Sequence, residues 1–251
     1  MQYIPYGKQL IDDDDVRAVT EALTAALITT GPTAGEFEKK LCEYTGAKYT
    51  VVVANGTAAL HLSSLVLLEE GDKVLTTPNS FLATSNSILY ANAKPVFVDI
   101  TEDGNINLDL CEEAIKKDPT IKAIYAVAFS GNPINQDKLR YIRQTYNVKI
   151  LEDCAHAIGS QYDNIKAGSC TNSDCTIFSF HPVKHMTTGE GGAIMTNNKN
   201  IYDKLLLLRN HCMERKTNIA PWYYEMNSLG YNYRITDIQC ALGISQLSKL
   251  G

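Results

Sequence analysis

Short runs of β-branched and apolar residues alternate with helical patterns along most of the chain. Residues 49–53, 73–76, 95–98, 123–128 and 148–151 read as strands. Between them, residues 57–68, 82–90, 108–116 and 136–146 carry apolar positions at helical spacing, each run long enough for a crossover. Strand, crossover helix, strand is the pattern of an α/β fold with a mainly parallel sheet flanked by helices. Two more strands, at 175–180 and 193–196, and a helix at about 201–211 extend the same rhythm. No internal repeat or low-complexity linker interrupts it.

Charge and cysteine usage narrow the function class. The formal net charge is −5 with both signs interspersed, so no basic stripe exists to track a phosphate backbone and nucleic acid is not an expected partner. The acidic run Asp12 to Asp15 reads either as a metal site or as the start of a helix continuing through Val16, Val19 and Leu23; the helix dipole favours the second reading, and no metal is expected. Seven cysteines, odd in number and without a C-x-x-C pair, argue against a disulfide framework or zinc cluster and fit a reducing cytoplasm. The N-terminal residues lack the basic and apolar regions of an export signal, and no run of about 18 apolar residues occurs, so neither export nor a membrane span is expected.

Open α/β sheets bind ligands at the carboxyl ends of their strands, and three such ends carry polar residues. After the first strand, Ala54-Asn55-Gly56-Thr57-Ala58 opens directly into a helix whose first N–H groups have no internal partner, an arrangement suited to an anion. The same residues also make an ordinary turn and cap. Glu152-Asp153 follows the strand at 148–151; a carboxylate there either caps the next segment or needs a cationic partner. The third end is Phe178-Ser179-Phe180-His181-Pro182-Val183-Lys184, running into a Thr- and Gly-rich loop to Gly192. A lysine so placed, when desolvated, has a lowered pKa and becomes a nucleophilic amine for a Schiff base, although most lysines are simply solvated.

The order of these segments resembles the DegT/StrS-type sugar aminotransferases, a branch of the fold-type I PLP-dependent enzymes. The likeness runs from Ile4-Pro5-Tyr6 and Thr29-Thr30-Gly31-Pro32 through Ala54-Asn55-Gly56-Thr57-Ala58-Ala59-Leu60-His61 to Leu229-Gly230-Tyr231-Asn232-Tyr233-Arg234, and is most specific over residues 178–192.

The resemblance implies a PLP-binding large domain and a role for each matching residue. Lys184 is the Schiff-base lysine and the base of the proton shift, and Asp153 the acid paired with the pyridine nitrogen. Gly56, Thr57, Ala58 and Ser179 form a phosphate cup. Phe81 stacks on the cofactor ring, unless it is a core residue at a helix start. His156, where many relatives carry Gln, lies near the ring and its phenolic oxygen, unless it is a packed helical histidine. Asn232 is expected to reach the cofactor phosphate of a neighbouring subunit in a homodimer, with Tyr6, Thr29 and Arg234 on the substrate side. His61 reads as structural, and His181 and His185 carry no assignment.

The implied reaction moves an amino group from L-glutamate, through PLP and pyridoxamine phosphate (PMP), to a keto sugar carried on a nucleotide. Residues 151–157 and 180–184 most resemble the members that act on a UDP-4-keto-6-deoxy-N-acetyl-β-L-altrosamine on the way to pseudaminic acid. Another nucleotide-sugar 3- or 4-aminotransferase and a non-catalytic PLP-fold relative are the alternatives. A sugar dehydratase of this family carries His in place of the lysine, whereas Lys184 is present. Residues 1–251 are expected to be the large domain and its N-terminal segment, the relatives' C-terminal small domain being absent from the chain.

Overall fold

The computed structural model describes Pro5 and residues 7–250. Its central sheet is built from β1 (Tyr49–Val53), β2 (Lys73–Thr76), β3 (Lys94–Phe97), β4 (Ile121–Val127), β5 (Lys149–Asp153), β8 (Cys175–Ser179) and β9 (Gly192–Thr196). Two short antiparallel pairs lie outside it: β6 (Gln161–Tyr162) with β7 (Ile165–Lys166), and β10 (Met213–Arg215) with β11 (Tyr224–Met226). The spatial order is β1-β9-β8-β5-β4-β2-β3, with every pair from β8 to β3 parallel and β9 antiparallel to both neighbours. The mainly parallel α/β expectation holds. β5 runs on through Glu152 and Asp153, which the sequence pattern left outside the strand, because both residues pair with β8.

Strict alternation along the strands feeds two cores. Val52, Leu75, Ile124, Ile150 and Phe178 point to one face, where α2 (Pro32–Thr45), α5 (Leu108–Lys117), α6 (Gln136–Tyr146) and α8 (Asp237–Leu247) cover them. Val51, Val53, Val74, Tyr125 and Ile177 point to the other, under α3 (Gly56–Leu67), α4 (Leu82–Tyr90) and α7 (Lys199–Arg209). Burial on both faces explains why these strands read as continuous apolar runs. Tyr125 is buried among them only because its hydroxyl donates to Ser64 Oγ at 2.9 Å.

The two edges are closed by different means. β3 carries Pro95, which an edge tolerates because its missing N–H faces no partner strand. At β1 the outward Val52 N–H donates to Glu38 Oε1 (3.1 Å) and Arg209 Nη1 donates to the Val52 carbonyl (2.8 Å), while Arg209 and Glu38 pair at 2.6 Å. One half-buried ion pair thus occupies backbone groups that would otherwise template another strand.

The acidic run does begin a helix, α1 (Asp13–Thr24): Asp12 and Asp15 form a reciprocal capping box. Asp15 is buried and also meets Lys249 Nζ at 2.8 Å and Gln246 Nε2 at 2.7 Å. Burial pushes its carboxyl up, but hydrogen bonds from Lys249, Ser245, Asp12 and Gln246 outweigh it and leave the group at about 2. A carboxyl depressed in the folded state stabilises above its unfolded value of 3.8, and that contribution is lost as pH falls through the folded value. Lys249 is one of four donors that share this shift, so Lys249→Met is expected to cost on the order of 1 kcal/mol at neutral pH. Urea unfolding should show the difference from wild type shrinking between pH 4 and pH 2; a gap independent of pH would remove Asp15 from the account.

Candidate active site

Parallel strands β5 and β8 end side by side, which brings Asp153 and Ser179 to the same rim of the sheet. Asp153 is 5 % exposed, yet no basic side chain forms a salt bridge with it among the described residues. Thr84 Oγ1 donates to its Oδ2 at 2.6 Å and the Ala155 N–H to its Oδ1 at 3.1 Å. Burial raises the carboxyl's pKa, opposed by these two hydrogen bonds and by the charges of Lys184 and His156. The capping interaction with Ala155 coexists with the buried position at the strand mouth; the two readings of Asp153 were not exclusive.

Lys184 follows β8 in a tight turn in which its own N–H donates to the His181 carbonyl at 2.9 Å. Its Nζ contacts His156 Nε2, and partial burial pulls the ammonium's pKa down against the attraction of Asp153. His156 lies in a turn after β5, not in a helix. Partial burial and the nearby Lys184 charge hold its imidazole below its usual value. Gly7 packs against Val183, a methyl built at Gly7 falling 2.8 Å from Val183 Cγ1, which places Gly7 beside the lysine turn. Tyr6 lies outside the described residues.

The start of α3 faces the same rim. Asn55, rather than Thr57, is the N-cap: its side chain accepts from the Ala58 N–H at 2.8 Å, and its carbonyl accepts from Ala59. Among the described residues this leaves the Gly56 and Thr57 N–H groups without an acceptor, with Thr57 exposed, while the Ala58 N–H is already engaged. Glycine is required at two positions here. A Cβ on Gly56 would stand 2.9 Å from Ser179 Cβ, and one on Gly192 would stand 2.5 Å from the Asn55 carbonyl oxygen. The close approach sets the Ser179 hydroxyl beside the two open N–H groups.

Phe81 is the N-cap of α4 and is 71 % exposed, so it is not a core residue. Thr84, the residue holding Asp153, stands three positions later on the same helix end; with its own proton given to Asp153, its Oγ1 accepts from Ser80 Oγ at 2.8 Å. Sequence reasoning passed over Thr84. Its only signal was a hydroxyl at the i+3 position from Phe81, the spacing that puts two helical side chains on one face.

Thr29, Asn232 and Arg234 make no hydrogen bond to Lys184, Asp153 or Ser179 among the described residues. Thr29 is exposed and bridges Thr236; Asn232 is exposed and bridges Asn210; Arg234 Nη1 donates to Asn210 Oδ1 at 2.6 Å. The Tyr233 carbonyl, between the last two, accepts from the Ala54 N–H at 2.9 Å, so the segment abuts the entrance to the α3 turn. The seven cysteines are all free, and no described helix is long and apolar enough to cross a membrane.

Known proteins resemble this chain in sequence and in fold. The chain is 45% identical over 248 residues to the UDP-4-amino-4,6-dideoxy-N-acetyl-beta-L-altrosamine transaminase of Campylobacter jejuni, covering 98% of this chain and 65% of that one. It therefore spans about two thirds of the length of such relatives. Its structure superposes with a TM-score of 0.94 on Helicobacter pylori PseC, an aminotransferase involved in the biosynthesis of pseudoaminic acid, at 35% identity over 99% of this chain and 66% of that one. With NtdA of Bacillus subtilis, solved with bound cofactor PMP, the TM-score is 0.84 at 31% identity, covering 96% and 54%. The model of the DegT/DnrJ/EryC1/StrS aminotransferase family matches residues 9–251, and the chain belongs to that family.

Proposed function

We propose that the chain is the PLP-binding large domain of an aminotransferase that moves the amino group of L-glutamate to the 4-keto carbon of a UDP-4-keto-6-deoxy-N-acetylhexosamine. The observation that carries this reading is Asp153: a buried carboxylate with a raised pKa and no salt bridge among the described residues, at one end of a rim whose other end offers free N–H groups. A protonated ring nitrogen supplies the missing cation, and a phosphate the missing anion. The residues present thus fit PLP, which when bound provides an electron sink for the bond-making carbon.

Each residue then has a task. Asp153, oriented by Thr84, holds a proton on the ring nitrogen. The Gly56 and Thr57 N–H groups, with the Thr57 and Ser179 hydroxyls, bind the phosphate, and Ala58 contributes through the helix end rather than through its own N–H. Phe81, exposed at the rim, would hold the ring by stacking, and His156, in contact with Lys184, would serve the phenolic oxygen. Lys184, its pKa lowered, is the amine that takes the proton from the Cα of the donor and later delivers one to C4 of the sugar. The overall exchange balances: glutamate and ketone become 2-oxoglutarate and amine. Tyr6, Thr29 and Arg234 belong to the substrate side, where a guanidinium suits a diphosphate or a carboxylate. The free cysteines and interspersed charge accord with a cytoplasmic enzyme.

The test is stoichiometric. Protein loaded with PLP is expected to convert L-glutamate to one equivalent of 2-oxoglutarate per site and to recover its original absorbance on addition of the UDP-4-keto sugar. Absence of 2-oxoglutarate would overturn the reading.

We infer a homodimer with shared sites; supporting it, Asn232 is exposed and neither Asn232 nor Arg234 hydrogen-bonds Lys184 of the same chain among the described residues. A two-fold interface exchanges one patch in both directions, so each subunit completes the other's site. Arg234→Ala and Lys184→Ala, each inactive alone, are expected to regain up to about a quarter of wild-type activity when mixed as an equal, random population, since half the dimers are hybrid and each holds one intact site. No recovery from demonstrable hybrids would place Arg234 in its own subunit's site.

A further inference from the structure

His61 lies on α3, little more than one turn after the Gly56–Thr57 helix end, in a helix whose other inward residues are apolar or small. Its ring is enclosed by three tyrosines at edge-on angles: Tyr231 at 4.9 Å between centroids, Tyr90 at 5.2 Å and Tyr233 at 5.9 Å. Its Nδ1 is 3.1 Å from the Tyr233 hydroxyl, while Nε2 is buried without a partner. Burial lowers its pKa, and the groups facing it from α3, α4 and the 231–234 segment are these tyrosines, so the ring is neutral and carries one N–H. Placing that proton on Nδ1, donated to the Tyr233 oxygen, leaves only a lone pair buried at Nε2, the less costly arrangement. A phenylalanine or leucine would fill the same space with no orphaned nitrogen at all, so packing alone does not account for histidine here.

The bond lands on an extended segment with alternating sides. Tyr231 and Tyr233 stack on one another at 5.2 Å and 18°, which puts them on the same side as His61. Asn232, between them, is exposed, and Arg234 is held by Asn210. The backbone is secured by Tyr231 N–H to the Leu208 carbonyl (2.8 Å), Tyr233 N–H to the Arg209 carbonyl (3.1 Å) and Ala54 N–H to the Tyr233 carbonyl (2.9 Å). In an extended chain a one-residue slip would exchange the two sides and turn Asn232 and Arg234 toward the helix.

We propose that His61 is a positioning residue that, through its hydrogen bond to Tyr233, fixes the register of residues 231–234 and so the presentation of Asn232 and Arg234. The consequence for substrate binding rests on the role proposed above for those two residues; the clamp itself does not.

Amide hydrogen exchange of the cofactor-free protein separates the two. In His61→Phe and in Tyr233→Phe, exchange at Ala54, Tyr231 and Tyr233 is expected to quicken about five- to tenfold, the usual effect of losing one hydrogen bond, with β4 and β5 amides unchanged. The double variant is expected to be no faster than the faster single one, because both remove the same bond. Tyr233→Phe deletes only an oxygen, so the test survives any misfolding of the histidine variant. Unchanged exchange in Tyr233→Phe, or effects of the two substitutions that multiply, would overturn the proposal. If exchange behaves as expected, the KM for the UDP-sugar should rise several-fold with kcat little altered; an unchanged KM would leave the clamp standing and refute the substrate-side role of Arg234.

Discussion

Lys184→Ala is expected to lower transamination by roughly 10⁴-fold or more, the scale at which loss of a residue acting as both nucleophile and base is felt. The protein should still fold. Lys184 sits in a turn held by backbone hydrogen bonds, its side chain is only half-buried, and desolvation already disfavours its charge, so removing the amine relieves an electrostatic cost rather than opening a core cavity. PLP should still bind through the α3 end and Ser179, but it should be released by gel filtration in denaturant even after borohydride treatment, whereas wild type retains it covalently. Peptide mapping checks the assignment directly. A borohydride-fixed label on any lysine other than Lys184 in wild type would defeat it.

Asp153→Asn is the second large effect, and its two consequences have opposite sign. An amide retains the shape and can still accept from Thr84, but it offers no negative charge to hold a proton on the ring nitrogen, and turnover is expected to fall about a thousandfold. Stability of the cofactor-free protein should instead rise. The folded Asp153 carboxyl has a raised pKa, so it binds a proton more tightly than in the unfolded chain. Its contribution is therefore favourable only below the unfolded value and is lost as pH rises through the folded one, leaving a net cost at pH 7. Thermal unfolding without cofactor should show the variant more stable than wild type at pH 7, with the gap closing in acid; with PLP bound the order should reverse. A variant less stable at neutral pH in the absence of cofactor would mean that Asp153 is already paired within the chain. Thr84→Val provides the matching control. It leaves the carboxylate but removes its 2.6 Å donor, and a smaller loss of turnover is expected.

Both predictions depend on a site assembled from strand ends that are distant in sequence but adjacent in the sheet. Function at the cost of apo stability is the expected pattern for a charge held ready for a ligand.

What was legible in the amino-acid order was whatever local chemistry dictates. The two periodicities separated strands from helices closely enough that 49–53, 73–76, 82–90 and 136–146 coincide with the observed elements. The turn at Asn55-Gly56-Thr57 and the Lys184 loop were visible because Gly, Pro and Thr constrain the backbone residue by residue. The short hairpin of β10 and β11 was not, since three-residue strands carry too few positions to display an alternation. The end of β5 was misplaced because acidic residues look like loop residues until a neighbouring strand pairs with them; Glu152 stays in the strand since Gln136 and Ser173 each donate to it at 2.7 Å.

Only the tertiary structure decided the remaining questions, each of them a matter of environment. Phe81 is exposed rather than a core residue because it is the uncovered N-cap of α4. Thr84 joined Asp153, and His61 joined Tyr233, across separations of 69 and 172 residues that no local pattern encodes. Sequence determines which donors, acceptors and charges a chain possesses and how its backbone tends to run. Which of them meet, and which are left buried and waiting for a ligand, depends on desolvation and on long-range packing, and these exist only once the sheet has formed.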